Sequence, residues 1–166
     1  MQSSVINRSS YSVTTPVLFM VFNRLENTKK TFKAIRNAKP KKIYIASDGA
    51  RDSYIGESEV VDSIRDFILN GIDWECQVKT LFRNKNLGCK NAISGAIDWL
   101  FQSEDQGIII EDDCVPSYSF FVFCQEMLDR FKNDNSIMHI NGNYFLNGVC
   151  NLKSDYYLSK INGVWG

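Results

Sequence analysis

The sequence predicts one α/β domain of three layers, α/β/α, built on a mostly parallel sheet. Three observations predict it. Short, continuously apolar runs recur along the chain, as strands do when both faces of a parallel sheet are covered. Between them lie longer segments whose apolar residues repeat every three or four positions, the spacing of an amphipathic helix. Strand and helix alternate regularly, a pattern that selects right-handed crossovers and hence parallel pairing. Composition agrees: 44% of the 166 residues are hydrophobic and three are proline, enough apolar mass for a core and too few breakers for disorder.

Residues 1–15, rich in Ser, Thr and Asn, read as an arm or an extra edge strand ahead of a domain spanning 16–166. The run 16–22 is the first strand, and 25–37 follows as a helix with Leu25, Phe32 and Ile35 near helical spacing. Residues 42–46 form the second strand, ended by Ser47-Asp48-Gly49. The helix 58–70 carries Val60, Val61, Ile64, Phe67 and Ile68 on one side and stops at Asn70-Gly71. Residues 77–82 are the third strand. The next helix is marked by Cys89, Ala92, Ile93, Ala96, Ile97, Leu100 and Phe101, and 107–110 is a short buried strand. A last helix shows Phe120, Phe123, Cys124, Met127, Leu128 and Phe131 in register after Pro116-Ser117 as its cap. The run 136–140 predicts a fifth strand, with His139 as a core residue. The final Val164-Trp165-Gly166 has neither a capping helix nor a polar tail, so the domain is expected to continue past it.

Charge is balanced overall but not along the chain: residues 1–90 hold 15 Lys/Arg against 9 Asp/Glu, and 91–166 hold 4 against 10. Two readings fit. One is a mixed solvated surface; the other is a basic surface facing an acidic site, suited to an anionic ligand held through a cation. No tract is basic enough to predict nucleic acid as a partner. Five cysteines without CxxC spacing and a single histidine argue against structural zinc. No apolar run reaches the ~18–20 residues of a membrane span. With no export signal and free thiols, a cytoplasmic location is expected.

The chemistry-bearing segments sit at the ends of the expected strands, where open α/β sheets bind ligands. Glu111-Asp112-Asp113 follows the strand 107–110 directly. Three adjacent carboxylates repel one another unless compensated. In extended geometry Glu111 and Asp113 would face one way and Asp112 the other. They would offer one carboxylate to a divalent cation and another to a ribose hydroxyl; the alternative is an acidic loop favouring the next helix dipole. Phe22-Asn23-Arg24 ends the first strand, and Arg24 suits a planar, bidentate anion or a base edge, or is a surface residue. Asp48 would accept hydrogen bonds from a ribose or base, although Asp-Gly is also an ordinary turn pair. The loop from Arg83 to Asn91 enters a helix through Gly88 and carries Arg83, Lys85 and Lys90, a weak anion-binding pattern. Cys114 lies beside the acids without a partner for nucleophilic catalysis. Trp74 and Trp99 are expected to pack, and Trp165 to pack or line an acceptor groove.

Together these segments resemble the GT-A glycosyltransferases, most nearly bacterial proteins related to N-acetylglucosaminyltransferase I and family 2 transferases. The resemblance runs from Pro16 to about Phe145. Its most specific part is Gly-Ile-Ile-Ile-Glu-Asp-Asp-Cys-Val-Pro followed by Ser-Phe-Phe; Asn86-Leu87-Gly88-Cys89 and Ser47-Asp48-Gly49 support it. It implies a Rossmann-like nucleotide-diphospho-sugar transferase fold with Glu111-Asp112-Asp113 in the place of a DxD-type motif. Asp113 would then bind Mn²⁺ or Mg²⁺. Phe22, Asn23, Arg24, Asp48, Gly88, Lys90, Glu111 and Asp112 would surround the nucleotide sugar, with Asp48 near uracil or ribose and Asp112 near ribose. The implied reaction is metal-dependent, inverting transfer from a nucleotide-diphosphate sugar, a UDP-sugar in the first instance, to a saccharide or glycoconjugate acceptor, as in polysaccharide biosynthesis. Peripheral membrane association is compatible with such an acceptor. The catalytic base would lie beyond Gly166, so this chain is expected to bind donor with little or no turnover. A sugar nucleotidyltransferase would share fold and metal but needs a glycine-rich loop that Phe22-Asn23-Arg24-Leu25 lacks. A non-catalytic nucleotide-sugar-binding module stays open as the alternative.

Overall fold

The computed structural model describes residues 12–142 together with Tyr156, Leu158 and Ser159. Strand and helix alternate through β1 (Val17–Val21), α1 (Leu25–Ala38), β2 (Lys42–Ser47), α2 (Glu57–Gly71), β3 (Gln77–Phe82), α3 (Cys89–Phe101), β4 (Ile108–Glu111) and α4 (Tyr118–Phe131). Among the described residues the sheet has four strands in the order β3-β2-β1-β4, all parallel.

Side-chain alternation along the strands builds two cores. Val17, Phe19 and Val21 of β1, Ile43 and Ile45 of β2, and Ile108 and Ile110 of β4 face one side. There they meet Phe32 and Ile35 of α1, Ile64 and Ile68 of α2, and Phe121 and Cys124 of α4. Leu18, Met20, Tyr44 and Ala46 face the other side, against Ala96 and Leu100 of α3. Helices therefore cover both faces, which is why every residue of the central strand β1 is buried. A buried Leu or Phe of this kind contributes roughly 1.5–3 kcal/mol relative to exposure.

The path of the chain sets the position of the site. The connections β1–α1–β2 and β2–α2–β3 step one way across the sheet with helices on one face. The connection β3–α3–β4 steps back past β1 with its helix on the opposite face. Reversing both direction and face keeps a single hand of crossover, and the chain leaves the carboxyl ends of β1 and β4 toward one face, that of α1 and α4.

The segment 12–15 packs onto the domain without pairing as a strand. Val13 is fully buried, and its carbonyl accepts from Lys41 N at 2.9 Å. The Gln125 carboxamide of α4 then anchors this segment. Its Oε1 accepts from Thr14 N at 2.6 Å and Thr15 N at 3.0 Å, and its Nε2 donates to Ser12 O at 3.2 Å.

The fifth strand expected at 136–140 does not form. Asp134 Oδ1 takes both Ser136 N (3.0 Å) and Ser136 Oγ (2.6 Å), and Ile137 N donates to Asp134 O at 3.0 Å. These local bonds commit the backbone to a turn and compete with a ladder. Met138 is 94% exposed and His139 is exposed rather than in the core. Trp165 and the expected C-terminal continuation lie outside the described residues. Among the described residues no helix is long and apolar enough to cross a membrane.

Replacing Gln125 by Leu keeps the side chain's bulk but strands the buried Thr15 N–H. The expected loss is about 1–3 kcal/mol, read as a lower urea midpoint at unchanged slope.

Candidate ligand-binding site

A cavity of about 430 Å³ opens beyond the carboxyl ends of β1, β2 and β4, on the α3 side of the sheet. That volume is within the usual range for small-molecule sites, about 300–1,000 Å³. Its floor is apolar and built from small or flexible side chains: Met20 and Ala46 from the strands, Ala92, Ile93 and Ala96 from α3. Its rim is polar, with Arg24, Asp48, Arg51, Arg83, Glu111 and Asp112 contributed by four different segments.

The β1 and β4 ends are joined by one arginine. Arg24 Nε and Nη2 both bond the Asp112 carboxylate, the former at 3.3 Å, and Nη1 reaches Asp113 Oδ2 at 2.8 Å. Asp112 is 2% exposed, and Thr31 Oγ1 of α1 donates to its carbonyl at 2.8 Å. Burial raises the Asp112 carboxyl above its ordinary range against the pull of Arg24. For Arg24, burial works downward, but the two carboxylates outweigh it and raise the guanidinium.

The chain leaves β4 after Glu111 and turns, with Cys114 N donating to Glu111 O at 3.2 Å. Strand alternation therefore ends there. Glu111 stays on the α3 face and lines the cavity, whereas Asp113 is exposed and does not. Burial first, then Asp113 and Asp112, raise the Glu111 carboxyl. The Cys114 thiol is raised by burial and by the same acids, which keeps it protonated and a poor nucleophile.

Asp48 positions the third wall. Buried at the end of β2, it accepts Leu87 N at 3.0 and 3.1 Å through its two oxygens. Asn86 Nδ2 donates to Gly49 O at 2.8 Å, and Asn86 Oδ1 accepts from Gly88 N at 3.1 Å. Gly49 is required for this crossing, because a Cβ there would lie 2.5 Å from the carbonyl carbon of Lys85. Gly88 enters α3 at φ 76°, a backbone region that favours glycine. From α2, Arg65 ties the strand ends together, donating to Ser47 Oγ (3.0 Å), Asp48 O (3.1 Å) and Arg83 O (2.8 Å).

The fourth wall is the connection 48–56, longer than the roughly two to six residues usual between strand and helix. Glu57, the first residue of α2, accepts from Arg51 N at 2.8 Å and from the Arg51 guanidinium through Nε and Nη2. Asn23 Nδ2 adds a bond to Glu57 Oε1 at 2.8 Å. These hydrogen bonds, those from Arg51 foremost, push the Glu57 carboxyl down to about 2.

Of the residues singled out in the sequence, the cavity brings together Phe22, Asn23, Arg24, Asp48, Gly88, Glu111 and Asp112. Lys90 is exposed and outside the lining: it follows Gly88 on the first turn of α3, which presents Cys89, Ala92 and Ile93 inward instead. Sequence reasoning overlooked Arg51, Glu57 and Arg65. The long 48–56 connection was the available sign of the first two; nothing in the pattern marked the third. Among the described residues no three His, Cys, Asp or Glu side chains gather into a metal cage. A hard divalent ion bound mainly through ligand phosphates requires only one or two carboxylates. Glu111 stands on the cavity wall for that role, whereas Asp112 and Asp113 both engage Arg24. Comparison with known protein families, characterised proteins and solved structures finds no match for this chain.

Two outcomes follow from this geometry. Gly49→Ala forces the 83–88 loop off Asp48 and is expected to cost about 1–3 kcal/mol in chemical denaturation. Glu57 has a folded value near 2 against an ordinary 4.5, so its contribution is complete above 4.5 and disappears as pH falls toward 2. In acid titrations of stability, the gap between the wild-type chain and Glu57→Gln should be constant above about pH 5.5 and close progressively below it.

Proposed function

We propose that this cavity binds a nucleotide-diphosphate sugar together with Mn²⁺ or Mg²⁺, and that the chain is the donor-binding part of a metal-dependent glycosyltransferase of the GT-A kind. One observation carries the reading: beyond the carboxyl ends of a parallel sheet, an apolar slot adjoins a guanidinium and the acids that follow a buried strand. The slot formed by Ala46, Ala92, Ile93 and Ala96 suits a flat base or sugar face. Asp48 and Asn86 stand at its polar edge as hydrogen-bonding partners for base or ribose. Arg24 orients the acids and balances their charge.

A bound divalent ion would supply neutralisation of the departing nucleoside diphosphate. Glu111 would hold it from the cavity wall, and Asp113 would join by exchanging its Arg24 partner for the ion. The acceptor would be a saccharide or glycoconjugate, and the base that activates its hydroxyl would come from outside the residues described.

Calorimetric titration with UDP-sugars, GDP-sugars and free nucleotides, with and without Mn²⁺, tests the reading. Binding is expected to require the metal and to weaken at least about tenfold in Asp113→Ala, the loss of one charged ligand interaction. Affinity unchanged in that variant would remove Asp113 from the role.

A further inference from the structure

Three guanidinium groups line the cavity, and they are not equivalent. Arg24 has its whole fork engaged by Asp112 and Asp113. Arg83 turns against the backbone of α3, with Nη1 donating to Ala92 O at 3.2 Å and Nη2 lying over Gly95. Arg51 differs from both. A single carboxylate, Glu57, holds its backbone N–H and one edge of its guanidinium, and Asn23 fixes that carboxylate from the β1 side. The guanidinium carbon lies 3.6 Å from the centre of the Tyr54 ring and 5.6 Å from that of Phe22. Its plane is thus set by stacking and its rotation by the Glu57 pair. The Nη1 end has no protein partner among the described residues, although the side chain borders the cavity.

A planar cation held by one carboxylate and an aromatic ring, on a side chain that borders a cavity and keeps one terminal nitrogen unpaired among the described residues, is arranged to meet an oxyanion. The ordering cost of a long side chain has already been met in the fold, so a contact made there keeps more of its free energy. We propose that Arg51 is the oxyanion-recognising side chain of this cavity, directed at a ligand phosphate, and that Glu57 and Asn23 are its positioning residues. That the phosphate belongs to a nucleotide diphosphate rests on the reading above; recognition of the oxyanion does not.

The test titrates the chain with inorganic pyrophosphate, UDP and uridine, each in the presence of Mg²⁺. Arg51→Gln is expected to weaken pyrophosphate and UDP by roughly ten- to hundredfold and to leave uridine unchanged. Glu57→Gln should weaken pyrophosphate in the Arg51 background and have no further effect beside Arg51→Gln, a coupling that a general structural role would not produce. Should Arg51→Gln fail to fold, Arg51→Lys keeps the charge without the fork and is expected to bind pyrophosphate more weakly than wild type. Pyrophosphate and UDP affinities within twofold of wild type in a folded Arg51 variant overturn the proposal while leaving donor binding intact. An equal loss of uridine also overturns it. If pyrophosphate binding depends on Arg51 but UDP binds no more tightly than pyrophosphate, the donor reading falls and the Arg51 assignment stands. A wild-type chain that binds neither overturns both.

Discussion

The buried carboxylate of Asp112 is the constraint on which the site depends. An ionised group that is 2% exposed would cost several kcal/mol if left alone. Here Arg24 engages both of its oxygens, Phe22 adds a backbone hydrogen bond, and Thr31 takes the carbonyl. Each partner comes from the β1–α1 segment. Satisfying one charge therefore draws the β1–α1 junction against the end of β4. The same contact brings Glu111 to the cavity and leaves Asp113 at the surface. The acidic triplet is not a set of three equivalent ligands but one structural charge flanked by two that differ in exposure.

The other walls follow the same logic of local satisfaction. Asp48 receives an amide of the 83–88 loop, Arg65 gathers three acceptors at the ends of β2 and β3, and Glu57 captures Arg51. No buried side-chain nitrogen or oxygen among the described residues lacks a partner. A cavity framed by saturated polar groups does not need a ligand to hold its shape. Its remaining capacity lies at defined atoms, such as the Nη1 end of Arg51 and the carboxylate of Glu111.

The strands and helices were legible in the sequence because each carries its own periodicity and punctuation. Gln77–Phe82 and Cys89–Phe101 match the expected bounds, helped by the Asn-Leu-Gly entry to α3; Ser117 caps α4 through Phe120 N at 3.3 Å. The run 136–140 misled because apolar composition outweighed Asp134, whose side chain claims the following amide and hydroxyl. In the site, single residues were visible and their pairing was not. Arg24 and Asp112 each stood out at a strand end, but they lie 88 positions apart, and no spacing rule links them. Arg51 and Glu57 are six apart across an irregular loop, outside both the helical and the strand periods. Lys90 looked suited to an anion by charge alone, yet it is exposed and outside the cavity lining.

Pairing also bears on why an anionic ligand here would arrive with a cation. The fork of Arg24 is matched by Asp112 and Asp113, and Arg51 is matched in part by Glu57. Glu111 stands at the cavity wall with no hydrogen bond from any described side chain, its carboxyl raised by burial and by its acidic neighbours. A diphosphate brought to within ~4 Å of that carboxylate would meet a repulsion of about 4 kcal/mol per charge pair at an effective dielectric of 20. The free end of Arg51, its charge shared with Glu57, and the guanidinium of Arg83, which donates to the Ala92 carbonyl, offset part of that. A divalent ion between the phosphates and Glu111 would turn the repulsive pair into two attractive ones. It would also lower the Glu111 carboxyl toward its ordinary range. Under the proposed function, metal binding thus answers the carboxylate of Glu111 at the cavity wall and does not require a cage of ligands.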